Sequence, residues 1–292
     1  MPNLQIMVDS ASDLEPKFIE KHGIRVMPCH IETKDGSFLE NVDFTADDLF
    51  AYVDAGNPIP KTSQVTAVEW MGAYLDAYEN GKEEILVITM NAQASGTNAS
   101  ARQAVELLAD ENPAAAEKLT VRVIDSTGFS VPIQMAIHRV MRLIERGASA
   151  REAEEWLNEW FSHQAILLGI CSLGYAKKSG RLSTVAAFVG EVLGLKPIML
   201  LHTANTVVEK VRGERAMINR LAQMYIEMAD DPKGDYVIAY GSEDRARVKL
   251  LVAAVKKLGG GAPLFVNRFG PCVGMNAGPE TVGIGFRAKE KL

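Results

Sequence analysis

Short runs rich in β-branched and apolar residues punctuate the first half of the chain: Leu4 to Val8, Ile24 to Met27, Ile85 to Ile88 and Val121 to Ile124. Between them lie segments with apolar residues at helical spacing. This alternation is the strongest constraint on what the chain can fold into. An antiparallel pair of strands needs only a tight turn, whereas a parallel pair needs a crossover long enough for a helix. The pattern therefore predicts an α/β unit built on a parallel sheet. Helices are expected at Ser10 to His22, capped by Ser10 or Ser12 and stopped by Gly23, and from the Thr45 cap to Ala55. Further helices are expected at Ala67 to Glu79, Ala99 to Leu108, Val131 to Arg146 and Ala150 to Phe161. Residues 28–44 break the rhythm, and their turn signal Lys34-Asp35-Gly36 predicts a small hairpin excursion.

Beyond residue 163 the pattern changes. Strands are expected at Ile166 to Ile170, Pro197 to Leu200, Val207 to Val211, Val237 to Tyr240 and Leu264 to Val266. Long helices are expected at Thr184 to Leu193, Arg215 to Ala229 and Arg245 to Leu258. Several of these strands follow one another with no crossover, which predicts a mixed or antiparallel sheet packed with helices. Two α/β domains, 1–162 and 163–292, are expected, a division that suits a chain of 292 residues.

Charge and cysteine usage narrow the function classes. Asp and Glu total 37 against 31 Lys and Arg, a formal net charge of −6, and basic runs are no longer than pairs such as Lys177-Lys178 and Lys256-Lys257. An acidic chain with no basic stripe argues against nucleic acid as a partner. Cys29, Cys171 and Cys272 show no CxxC spacing, which predicts neither a disulfide framework nor a metal site. No stretch approaches the apolar length of a membrane span, and Asp9 and Asp13 interrupt any signal-like start. A cytoplasmic protein with no membrane insertion is expected.

Asp9-Ser10 and Asp125-Ser126 each follow an expected strand. Functional groups in parallel sheets gather past the carboxyl ends of strands, and the same residue types cap helices; either role fits. A phosphatase nucleophile at Asp9 wants a second carboxylate two residues on, where the chain has Ala11. The stretch GNPIPKTS, residues 56–63, approaches a phosphate loop, but Pro60 stands where that loop needs Gly, and proline has no N–H to offer. There is no GxSxG or HExxH, and His22, His30, His138, His163 and His202 lie far apart. No catalytic constellation remains. What remains are hydroxyl-bearing loops ahead of helices: Thr62 and Ser63 in Lys61-Thr62-Ser63-Gln64, and Ser95, Gly96 and Thr97 within NAQASGTNASA, residues 91–101. Helix starts stabilise anions, and hydroxyls add neutral donors. Plain capping of the helices that follow is the other reading.

In order along the chain, these segments resemble the DegV family. Asp9-Ser10-Ala11-Ser12-Asp13-Leu14 is similar to its opening D-S-x-S-D-L, and Lys61-Thr62-Ser63-Gln64 to its K-T-S-Q. Ser95-Gly96-Thr97 with Ala101 resembles S-G-T-x-x-S-A, and Val123-Ile124-Asp125-Ser126 matches V-I-D-S. Ser179-Gly180-Arg181-Leu182-Ser183 and Leu195-Lys196-Pro197-Ile198 resemble the G-R-I-S and I-K-P-I segments. The resemblance spans nearly the whole chain. It implies a two-domain protein that binds one long-chain fatty acid in a buried tunnel between the domains. Such a protein is a non-catalytic carrier, with the fatty acid as ligand and no cofactor. The carboxylate would be held by Thr62 and Ser95, with Ser63, Gly96 and Thr97 as near neighbours. In some members the carrier presents the acyl group to an ATP-binding fatty acid kinase subunit, and Arg212 falls in the segment that supports phosphotransfer there. The alternative from another class is a small-molecule hydrolase or phosphatase using Asp9 or Asp125.

The chain departs from the family pattern in its late motif, Gly274-Met275-Asn276-Ala277-Gly278-Pro279-Glu280. Asn276 stands where the family has the His that also binds the carboxylate, Ala277 replaces Thr, and Glu280 replaces Gly. Asn donates through its amide but cannot become cationic, so the expected site suits a carboxylate better than the more highly charged acyl phosphate. Asn91 and Ala92 replace paired serines, and Ala204-Asn205 replaces a D-G turn. Val185 to Leu195 is apolar enough to line a tunnel or to form an ordinary core helix.

Overall fold

The computed structural model describes residues 3–171, 174–175, 194–241 and 245–292. In chain order the first half comprises β1 (Leu4–Asp9), α1 (Pro16–His22), β2 (Arg25–Met27), β3 (His30–Thr33), β4 (Gly36–Leu39), α2 (Ala46–Asp54), β5 (Lys61–Ser63), α3 (Ala67–Glu79), β6 (Glu84–Thr89), α4 (Thr97–Glu111), α5 (Pro113–Lys118), β7 (Thr120–Asp125), α6 (Val131–Glu145) and α7 (Ala150–Phe161). The second half continues with β8 (Gln164–Gly169), β9 (Leu195–Leu201), β10 (Asn205–Arg212), α8 (Glu214–Met228), β11 (Val237–Tyr240), α9 (Ala246–Lys257), β12 (Phe265–Arg268), α10 (Pro271–Ala277) and β13 (Val282–Arg287). The helix expected at Thr184 to Leu193 and the Ser179 to Ser183 segment lie outside the described residues.

The apolar runs of the first half make a four-stranded sheet, β2-β1-β6-β7, in which every pair is parallel. A separate three-stranded antiparallel sheet, β4-β3-β5, turns at Lys34-Asp35 and takes its third strand from Lys61-Thr62-Ser63. The second half makes a six-stranded sheet, β10-β9-β8-β13-β11-β12, antiparallel except where β11 meets β12. The fold class is thus α/β with one parallel and one mixed sheet.

Side chains of a strand alternate between faces, and here each face of the larger sheets has its own core. Ile6, Val8, Leu86 and Ile88 point to one cluster, while Met7, Ile85 and Val87 join another with α3 and α4. Ile166 and Leu168 of β8 belong to the same first cluster, and Ala165 and Leu167 to a third with α8 and α9. Helices α6 and α7 therefore lie between the two large sheets. Burial from both sides explains why α6 is apolar nearly all round in its first turns, Val131 to Ile137. Among the described residues no helix is long and apolar enough to cross a membrane.

One expected helix begins late. Ser10–Ser12 is a single 3-10 turn ending at Asp13 in the left-handed region, φ 52°, and α1 starts only at Pro16. Proline has no N–H and its ring clashes one turn back, so it cannot sit inside a helix from Ser10 and takes the first position instead.

Candidate functional site

The two hydroxyl loops meet, one placed by backbone pairing and the other by aspartate side chains. The register Ile31↔Thr62 and His30↔Ser63 fixes β5 alongside β3. Neither Thr62 nor Ser63 caps the following helix, because Thr66 does so in a capping box with Glu69. The loop after β6 is held by the strand-end aspartates. Met90 N donates to Asp9 Oδ2 at 2.6 Å, and Ala92 N to Asp125 Oδ1 at 3.1 Å. Asp125 Oδ1 also accepts from Thr127 N at 2.8 Å. Asp9 makes no side-chain cap to the 3-10 turn it precedes. These aspartates shape the loop rather than cap the next element on the chain.

Gln64 joins the loops. Its Nε2 donates to Ser100 Oγ in α4 at 2.7 Å. A Cβ added at Gly96 would run into the Gln64 side-chain amide. The absence of a side chain at Gly96 leaves room for Gln64 to cross there. Ser95 Oγ lies 3.0 Å from Thr97 Oγ1 and accepts from Thr97 N at 3.3 Å.

Thr62, Ser63, Ser95, Gly96 and Asn276 line one cavity of about 380 Å³, within the range of small-molecule sites. Ala11, Met90, Phe129, Leu168, Leu201 and Val273 give it apolar walls, and Cys29, Gln64, Asn205 and Cys272 also face it. Thr97 is fully buried behind Ser95 and does not line it. Arg212 is exposed at the far end of β10 from Asn205, about 23 Å along the strand at roughly 3.3 Å per residue. Asn276 Nδ2 donates to Cys272 O at 2.7 Å, one turn back in α10. The amide's second hydrogen remains for a ligand.

Glu40 and Asp13 line a second cavity together with Ser10 and Gly270. Glu40 accepts from Ser10 Oγ at 2.5 Å and from Cys272 N at 2.6 Å. Asp13 accepts from Ser130 Oγ at 2.5 Å and from Gly270 N at 3.1 Å. Burial pushes the Asp9 carboxyl up to about 7, and burial with the Glu40 charge holds Asp13 well above the usual carboxylate range. Neither Asp9 nor Asp125 lines the cavity. Cys29, Glu40, Phe129 and Cys272 carried no local signal in the sequence, because each reaches the site through long-range closure. Gln64 was legible only as the last letter of its motif.

Residues 3–289 match a family model described as "Uncharacterised protein, DegV family". A DegV domain-containing protein of Deinococcus radiodurans is 25% identical over 288 residues, covering 97% of this chain and 97% of the relative. Among solved structures, the chain is similar to a DegV family protein from Thermus thermophilus described by its fatty acid binding. The TM-score is 0.84 at 25% identity, over 98% of this chain and 99% of that one. A stearic acid-binding protein from Eubacterium ventriosum shares the fold with a TM-score of 0.82 at 22% identity, over 98% of both chains.

Proposed function

The chain belongs to the DegV family, and from that premise we propose that it is a non-catalytic carrier binding one long-chain fatty acid. The acid lies between a unit formed by residues 1–162 and one formed by 163–292, with its carboxylate on Thr62 and Ser95. One observation carries this reading. Hydroxyl and amide groups from three distant segments, at Thr62, Ser95 and Asn276, share a cavity with walls otherwise made largely of apolar side chains. The walls come from both units, through Met90 and Phe129 on one side and Leu168 and Leu201 on the other. The fatty acid binding described for the Thermus protein supports the same ligand class.

The energetics are consistent with a lipid. Burying about fourteen methylenes of a hexadecanoate tail yields roughly 11 kcal/mol gross, against which ordering and lost tumbling cost several kcal/mol. A buried carboxylate needs donors to offset its desolvation, and the hydroxyls supply them without adding charge. The tail drives affinity and the loops set orientation.

Mass spectrometry of gently extracted protein should find a co-purified fatty acid. The Thr62→Ala/Ser95→Ala double variant should bind hexadecanoate at least about 10-fold more weakly, since each hydrogen bond to a charged group contributes about 1.5–3 kcal/mol. Parental affinity in that variant overturns the anchors. Absence of any binding of tetradecanoic to octadecanoic acids overturns the carrier. A second reading, presentation of the acyl group to an ATP-binding kinase subunit, draws on Arg212 being exposed on the edge strand β10, where a partner can reach it. Failure of such a subunit and ATP to form acyl phosphate on the loaded protein excludes it.

A further inference from the structure

The cavity wall carries a second chemical feature beside the hydroxyls. Cys29, between β2 and β3, and Cys272, in the first turn of α10, both line it, and both are buried free thiols. Glu40, only 1% exposed, stands with them. One ligand atom from each residue, two sulfurs and a carboxylate oxygen, lie within 4.8 Å of one another. A tetrahedral zinc ion with Zn–S near 2.3 Å places its ligand atoms roughly 3.3–3.8 Å apart, so a small inward adjustment closes the set. The residues come from three separate stretches of chain, which is why their spacing revealed nothing.

Hydrogen bonds already orient the three. Ser10 Oγ donates to Glu40 Oε2 at 2.5 Å and accepts from Cys29 N at 2.9 Å, so one serine ties two of the residues together. Cys272 N donates to Glu40 Oε1 at 2.6 Å and ties in the third. Such outer contacts are what fix metal ligands in place. Gly270 keeps the adjacent space open: a Cβ there would meet Asp13 Oδ1 and lie 3.1 Å from Glu40 Oε1. Buried acids converging in this way are costly unless a positive charge or protons offset them.

We propose that Cys29, Cys272 and Glu40 bind one thiophilic divalent cation, with Zn2+ as its probe, whose fourth coordination position opens into the cavity. Three protein ligands and an open position are the arrangement of zinc sites that accept water or a ligand. The carboxylate of a cavity ligand is of the right chemistry to fill it. Loading displaces the thiol protons to solvent. The site stands on its own geometry, whether or not the cavity holds a lipid. The opposing view is that both cysteines are small buried hydrophobes, which predicts no metal at all.

The test uses the full chain, delipidated, reduced and stripped with a chelator, then loaded with Zn2+ or, separately, Co2+. One zinc per chain should survive gel filtration, and cobalt should give a thiolate charge-transfer absorption. Both signals should be lost in Cys29→Ser and in Cys272→Ser and retained in Cys171→Ser, whose thiol lies outside the trio. Glu40→Gln should weaken zinc about 10-fold or more, because loss of a direct ligand costs at least as much as loss of an outer contact. If the cysteine variants fail to fold by circular dichroism, zinc protection of Cys29 and Cys272 from alkylation in the parent protein gives the same answer. A folded, reduced parent that retains no zinc overturns the proposal, as does zinc held equally by both folded cysteine variants or alkylation unaffected by zinc. Fatty acid binding, measured separately on metal-free protein, keeps the carrier reading distinguishable from this one.

Discussion

Gly96 shows how one missing side chain organises the site. In Gly96→Ala the new methyl occupies the place of the Gln64 amide, so Gln64 must release Ser100 Oγ. The expected cost is about 1 kcal/mol of stability from that hydrogen bond, with weakened hexadecanoate binding, read by chemical denaturation and calorimetry. Wild-type values for both would show that Gln64 does not link the loops. His138 makes stability depend on pH. It stacks on Phe18 at 3.7 Å between ring centroids, and burial pulls its pKa from the ordinary 6.5 down to about 4. The unfolded chain then binds the extra proton first as pH falls. The contribution of His138 to stability is fully present above pH 6.5 and is lost as pH drops towards 4. His138→Gln should flatten that part of the stability–pH curve relative to the parent, measured by urea denaturation across the window.

At the scale of elements, local period explains both what was legible and what was hidden. The strands at 4–9, 84–89 and 120–125 and helices such as α3 and α7 declare themselves through apolar spacing and caps. Strand β13, V-G-I-G-F-R, was not foreseen, because glycine at alternate positions erases the apolar signal and weakens strand propensity. Packing supplies the reason for those glycines. A Cβ at Gly285 would lie 2.8 Å from Pro132 Cγ in the first turn of α6, and one at Gly283 would lie 2.8 Å from Leu168 Cδ1. Gly285→Val should therefore cost about 1–3 kcal/mol through overpacking. Ile137→Ala, in the middle of α6 and fully buried, should cost about 2–5 kcal/mol through the cavity it leaves. Denaturant midpoints check both, and a neutral Gly285→Val would mean that α6 does not press on β13. The three-residue β5 escaped notice for another reason: its alternation is too short to read, and only pairing with β3 makes it a strand.

For the whole molecule, the loop after β6 also fastens the two halves of the chain together. Asn91 Nδ2 donates to His202 O at 2.6 Å, and its Oδ1 accepts from Gln93 N at 2.8 Å. Asn91→Ala should destabilise by about 1–3 kcal/mol, because the buried His202 carbonyl loses a donor. On the carrier reading, saturating hexadecanoate should raise the melting temperature of the parent, with about 2.7 kcal/mol of added stability at a hundred times the dissociation constant. No shift would count against ligand binding to the folded state. By itself the sequence determined the α/β class, the parallel order implied by helical crossovers, and the hydroxyl loops, since these follow from spacing within short windows. Tertiary structure alone decided that Thr97 lies behind Ser95 and that Arg212 sits a strand length from the cavity. It also brought Cys29 to Cys272, residues from opposite ends of the chain. Their meeting depends on how the sheets close around α6 and α7, and no local period records that closure.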